Sequence, residues 1–360
     1  MAKNKKRYWL IPGILVFLAY VLLAAQPVPE ETVLVPRWLS SLETNFQASL
    51  GGSAPEAAAL IPFRLGNRFG YISDSGQFIN NRILEQGYLS FSPERWSEYD
   101  TQPASIQVFD PAGREQMTIE NPRGYPLFLD NRTFIIGNEQ NSVSAIDNSG
   151  NIQWTYDFSS PLTCIDAAAG FILAGTLDGV VELLDSQGSQ VFSFEPGGSR
   201  LAIILGCAIS QDGTRFAVIS GIDNQRFLML ERTGDSYRVA YHEFLSNGYR
   251  RAVHIRFIDN DSRIVFEREG GIGIYTIAAR TNLFIGLEGE VIALDAGDNK
   301  YFFIVISQEE NKKRLIGIKL PDIIVLNAPF RSENAFLGRR NSRLYIGGDL
   351  SLASFELGKK

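Results

Sequence analysis

The decapeptide AIDNSGNIQW (residues 145–154) returns 38 residues later as LLDSQGSQVF (residues 183–192). Asp147 aligns with Asp185, Gly150 with Gly188 and Trp154 with Phe192. The series extends upstream. QVFDPAGREQM (residues 107–117) places Asp110 and Gly113 each 37 residues before Asp147 and Gly150. Asp accepts hydrogen bonds from the backbone of its own turn, and Gly supplies positive φ, so both residue types have a structural task there. A fixed interval of this size marks a stacked supersecondary unit that cannot bury its apolar face alone.

Each period carries more than the turn. FIIGNEQNSVSAID (residues 134–147) matches FILAGTLDGVVELLD (residues 171–185), with Gly137 aligned to Gly175. One period holds an inner apolar run, a polar turn, a second strand, the Asp-x-x-Gly turn and an outer strand. That is a four-stranded meander, the blade of a β-propeller. Later units over residues 207–241, 253–277 and 291–320 drift but keep the outline. The last, residues 334–357, lacks a fourth strand, and an early hairpin, RFGYISDSGQFIN (residues 68–80), stands without a complete blade. Circular closure joins these two, with N-terminal strands completing the final blade. Residues 60–360 at about 43 per blade predict an all-β propeller of about seven four-stranded blades, within a range of six to eight.

GTLDGVVELLDSQGSQVFSF and GNEQNSVSAIDNSGNIQWTYDF resemble the repeats of quinoprotein-type (PQQ-like) propellers: Gly, Asp-Gly, a strand, Asp, then Gly-x-x-x-Trp. SQDGTRFAV is similar to WD40-like propellers. The resemblance covers residues 106–194 well and the rest thinly. It implies that Trp154 docks between neighbouring blades, with Phe192 and Met117 as weaker versions. An active quinoprotein dehydrogenase would also need a calcium site, an axial carboxylate and a vicinal cysteine pair. Cys164 and Cys207 lie 43 residues apart, so no quinone cofactor is expected.

The N-terminus reads differently. Lys3, Lys5, Lys6 and Arg7 precede an uncharged apolar run over residues 8–25. Its length suits a transmembrane helix with the basic flank (residues 1–7) in the cytoplasm and the remainder exported. Signal cleavage near Ala25 is the alternative. Residues 26–60 read as a stalk and linker, with an amphipathic helix over residues 37–46, and residues 61–360 as the propeller domain. The sequence carries −6 overall and +4 in residues 1–7, which leaves −10 for residues 26–360. A phosphate-reading surface carries a basic excess, so no nucleic-acid partner is expected.

Little in the chain points to catalysis. His242 and His254 each sit in an alternating apolar run, which reads as packed or hydrogen-bonded histidine rather than a metal site. Asp259 and Asp261 read as turn residues, and Glu267 and Glu269 as solvated acids flanking Gly270-Gly271. The two cysteines permit one disulfide or two buried thiols. No catalytic, cofactor or metal residue is expected. Aromatic and arginine residues on loops are the usual anchors of protein interfaces. That makes Arg95, Trp96 and Tyr99 in PERWSEYD, and Tyr249, Arg250 and Arg251 in NGYRRA, the candidate partner surface. The expected function is a membrane-anchored, periplasmic or otherwise extracytoplasmic scaffold for envelope or membrane proteins, touching the bilayer through residues 8–25. Outer-membrane assembly lipoproteins of the same resemblance offer the analogy, without their lipid anchor here. The alternative is an enzyme, or a sugar or small-ligand sensor, using the central funnel.

Overall fold

Short runs of β-branched and aromatic residues, each closed by a Gly, Asn or Asp turn, form 32 strands in the computed structural model, which describes residues 13–20, 32–43, 46–47, 60–246, 248–295 and 301–359. The strands make eight four-stranded antiparallel sheets. Blades 2 to 7 occupy residues 88–120, 124–157, 162–194, 204–244, 255–286 and 290–331, each a simple meander. Blade 8 combines residues 335–359 with an outermost strand from the N-terminal region, Thr32–Ser41. Blade 1 is built on residues 60–83, with Phe46–Gln47 added at its outer side. The architecture is therefore an eight-bladed propeller, one blade more than the count of about seven. The early blades repeat every 37–38 residues, shorter than the period used in that count. Strands upstream of residue 60 supply the outer edges of two blades.

Eight apolar clusters hold the ring together, one in each seam between neighbouring blades. In the seam of blades 4 and 5, Leu173, Val181 and Leu183 meet Ile204, Phe216 and Leu228. Both faces of a blade are thus covered by its neighbours, which is why the repeat must close on itself.

The residues expected as a stalk and a short helix are corrected here. Thr32–Ser41 is a strand paired with Ser351–Lys359 over nine residue pairs, bulged between Pro36 and Trp38. The physical reason is tertiary. The sheet of residues 335–359 offers an unpaired edge, and Thr32, Val33 and Val35 favour the extended chain that fills it. Blade 1 is also irregular. Its strand Leu60–Leu65 runs antiparallel to Ala335–Arg340 beside it: Gly66 lies against Asn334, and Ile61 against Gly338. The hairpin of residues 68–80 thus presents its Ser73–Gly76 turn on the same face as the Asp-x-x-Gly turns of the other blades.

Residues 13–20 are helical and exposed. Among the described residues no helix is long and apolar enough to cross a membrane. The remainder of the expected span over residues 8–25, its cleavage point and the linker over residues 50–59 lie outside the described residues.

Candidate interaction surface

The repeated turns are built alike. Asp147 Oδ1 accepts the backbone N–H groups of Ser149 (2.8 Å) and Asn151 (2.9 Å). Asp185 Oδ1 does the same for Gln187 and Ser189, both at 2.9 Å, and Asp110 Oδ1 for Arg114 at 2.9 Å. The backbone N–H of Asn151, foremost among several donors, holds the Asp147 carboxyl below its ordinary range. Gly113, Gly150 and Gly188 close the three turns at φ of 84°, 86° and 78°.

Trp154 docks onto the next blade. Its indole N–H donates to Ser186 O at 3.0 Å, and its ring lies so close to Gly188 that a methyl group there would fall 2.5 Å from it. Trp38 does the same at the ring closure: N–H to Asp74 O at 3.0 Å, ring on Gly76, and Tyr345 at 6.0 Å. Sequence reasoning missed Trp38 because it belongs to a strand far from its blade in sequence. The available signal was Ser-Asp-Ser-Gly (residues 73–76), which matches the docking turn Asp-Ser-Gln-Gly (residues 185–188). In the seam after blade 4, Phe192 packs on Phe216 and Tyr237. Met117 is buried with Phe128, Ile135 and Ile146 of blade 3.

The candidate partner residues separate into two places and are largely internal. Trp96 is 2% exposed, not a surface anchor. Its ring stacks on Phe109 at 4.5 Å, and its N–H donates to Asp110 O at 2.8 Å. Trp96 and Ser97 are both buried in the WSEY strand, and Trp96 packs against Leu60, Phe69 and Tyr71 of blade 1. Arg95 is half-buried and bridges to blade 3, donating to Thr133 Oγ1 (2.7 Å) and Asn131 O (3.2 Å). Arg132, 37 residues later, bridges to blade 4 through Gly170 O (3.1 Å) and Phe171 O (2.9 Å). Burial pulls both guanidinium groups below their ordinary range. Arginine latches between blades are thus part of the repeat. Tyr99 stacks on the exposed Tyr88 at 5.9 Å.

The second cluster lies between blades 5, 6 and 7. Arg251 sits over the Tyr249 ring at 4.1 Å and grips Glu267 through two bonds of 3.0 and 2.7 Å. The Glu267 side chain is 1% exposed, which corrects its reading as a solvated acid. Glu290 also pairs with Arg251 at 3.3 Å, so the guanidinium is fully engaged. Of this trio Arg250 alone is exposed. Both histidines are exposed rather than packed. Among the described residues no group of three or more His, Cys, Asp and Glu side chains converges to hold a metal.

Concavities on the described surface include a charged one of about 1010 Å³ lined by Arg68, Glu309, Glu310, Lys312, Arg331 and Glu333. A polar slot of about 660 Å³ opens between blades 2 and 3, lined by Thr118, Ser142, Ser144, Asn151 and Thr155 over an isoleucine floor. An apolar groove of about 360 Å³ lies between blades 7 and 8, walled by Leu34, Leu39, Leu315, Pro329, Phe330 and Ile346.

A family model described as a beta-propeller protein matches residues 1–359. The chain belongs to that family. An uncharacterized protein from Treponema pallidum (strain Nichols) is 26% identical over 361 residues, covering 99% of this chain and 95% of its own. Among solved structures, BamB from Moraxella catarrhalis matches with a TM-score of 0.60 at 14% identity, covering 90% of this chain and 100% of its own. The computationally designed Ika8 protein matches with a TM-score of 0.63 at 12% identity, covering 91% and 99%. At these identities the two solved structures establish the shared propeller fold. Inter-blade tryptophan docking and an eightfold ring describe this family member.

Proposed function

We propose that this propeller is a membrane-tethered, extracytoplasmic scaffold that holds a partner protein through apolar side chains. The observation that carries the reading is the groove between blades 7 and 8. Contiguous exposed apolar surface on a folded domain marks a docking site. Leu39 stands 74% exposed at its rim. The two strands that flank the groove, Thr32–Ser41 and Ile323–Arg331, are outermost in their sheets. Pro36 and Pro329 interrupt those edges, which disfavours strand addition. Recognition therefore falls to side chains entering the groove. The tether is the apolar run over residues 8–25, and the acidic balance of the remainder keeps nucleic acid away.

The test places a photo-cross-linking residue at position 39 of the full-length chain in cells, with a second at Gln187 as the remote control. A discrete protein adduct from position 39 alone, abolished by Phe330→Asp, supports the reading. Adducts with bulk lipid only, or the same adducts from both positions, overturn it. A phosphatase fused to the C-terminus reports the topology, since it is active only outside the cytoplasm. The polar slot between blades 2 and 3 favours a second reading, a sensor of a small hydroxylated ligand. A thermal shift with neutral saccharides, lost in Ser144→Val, would support it.

A further inference from the structure

The innermost strands of blades 4 and 5 are stitched together side by side. Thr163 Oγ1 donates to Ile204 O, and Asp166 Oδ2 accepts the Ile209 N–H at 2.9 Å. Cys164 lies two residues before Asp166 and so projects from the same face of its strand. Cys207 lies two residues before Ile209. The stitch that joins residues 166 and 209 therefore brings residues 164 and 207 opposite each other across the seam. The side chains meet there. Cys164 packs against the buried cluster that contains Cys207. Cys207 Sγ also reaches across to blade 4, donating to Leu173 O at 3.8 Å. Gly175, paired with Cys164 in the sheet, leaves the sulfur its space: a methyl group there would fall 2.7 Å from Cys164 Sγ. Both cysteines are free thiols in this structure.

We infer that Cys164 and Cys207 form an inter-blade disulfide by exchange with a small disulfide oxidant. Cys164 is the half-buried member and Cys207 the buried one, so the first attack belongs to Cys164. Its thiolate attacks one sulfur of the oxidant, forming a mixed disulfide and expelling one thiolate. Cys207 then loses its proton and attacks Cys164 Sγ, forming the protein bridge and expelling the second thiolate. One protein dithiol and one small disulfide become one protein disulfide and two small thiols. The neighbouring Cys164 thiol and burial both push the Cys207 thiol up. The second step is therefore the slow one and quickens with rising pH. The bridge closes a loop that contains nearly all of blade 4 and clamps it to blade 5. In an exported protein such a bridge persists; in a reducing cytoplasm it does not. Its presence in cells rests on the export proposed above.

The test incubates purified full-length protein with oxidised glutathione under native conditions. The expected result is loss of both reactive thiols and of two hydrogen masses, with a peptide linking residues 164 and 207. The urea midpoint rises on oxidation and returns on reduction. Cys207→Ser and Cys207→Ala instead retain glutathione on Cys164. Two thiols that stay free in the native protein, and oxidise only after unfolding, overturn the bridge. Alkylation trapping of intact cells separates the two proposals. A bridge formed in the purified protein but absent from cells leaves the geometry standing and refutes export.

Discussion

Removing the Trp38 ring by Trp38→Ala tests whether the ring closes through the N-terminal strand. The half-buried indole packs on Gly76 and Tyr345 and donates to Asp74 O. An aromatic side chain presents about 150–250 Å² for burial. Half of the larger figure at ~25 cal/mol per Å² gives ~3 kcal/mol. The lost hydrogen bond adds ~1 kcal/mol. The total, ~4 kcal/mol, is a large share of the 5–15 kcal/mol that typical domains possess. Trp154→Ala removes the same kind of contact from blade 3 and is the control. The two losses differ in consequence. Ile152–Asp157 follows the rest of its blade directly along the chain, whereas Thr32–Ser41 joins blade 8 only through pairing and packing. Urea denaturation measures the loss, and hydrogen exchange locates it. Trp38→Ala should deprotect the amides of Thr32–Ser41 and of Ser351–Lys359 together. Trp154→Ala should deprotect Ile152–Asp157 and leave the closure intact. A Trp38→Ala loss below ~1 kcal/mol, within the range of an ordinary surface change, with residues 351–359 still protected, would refute the closure argument.

Gly188→Ala meets both a left-handed backbone, φ 78°, and the Trp154 ring, whereas Gly197→Ala meets φ 63° and open space. Denaturation should show the ordinary ~1–2 kcal/mol of left-handed strain for Gly197→Ala and clearly more for Gly188→Ala. Arg251→Met leaves the buried Glu267 without its partner and should cost ~3–5 kcal/mol. Adding Glu267→Leu should recover part of that loss, and a double-mutant cycle with no coupling would contradict the pairing. The Asp147 carboxyl has a folded-state pKa depressed below 3.8 by its backbone donors. Its stabilising contribution is therefore present above about 3.8 and fades as pH falls toward the folded value. In acid titrations of the urea midpoint, Asp147→Asn should show a shallower decline than the wild type, and an unchanged slope would argue against the turn bonds.

The propeller itself was legible because its instructions are local. Asp147 and Asp185 bond to backbone groups within four residues, and the strands around them alternate within single blades. Trp154 stood out by its interval from the turn. Where reasoning from sequence failed, the deciding contact was distant along the chain. Arg37–Phe46 has the spacing of an amphipathic helix, but the open edge of Ser351–Lys359 claims its first half as a strand. Trp96 and Arg95 look like exposed anchors in a polar stretch. One lies beneath Phe109 and Phe69, and the other reaches across to blade 3. Glu267 looks solvated until Arg251, 16 residues earlier, folds over it.

From its own residues the chain specifies a repeating four-stranded unit, its turns and its need to stack, since period and turn chemistry act within one blade. The number of blades, the strand that closes the ring, the meeting of Cys164 with Cys207 and the groove between blades 7 and 8 were decided in three dimensions. Each arises where segments remote in sequence compete for one sheet edge or one seam, and no local pattern records which of them wins.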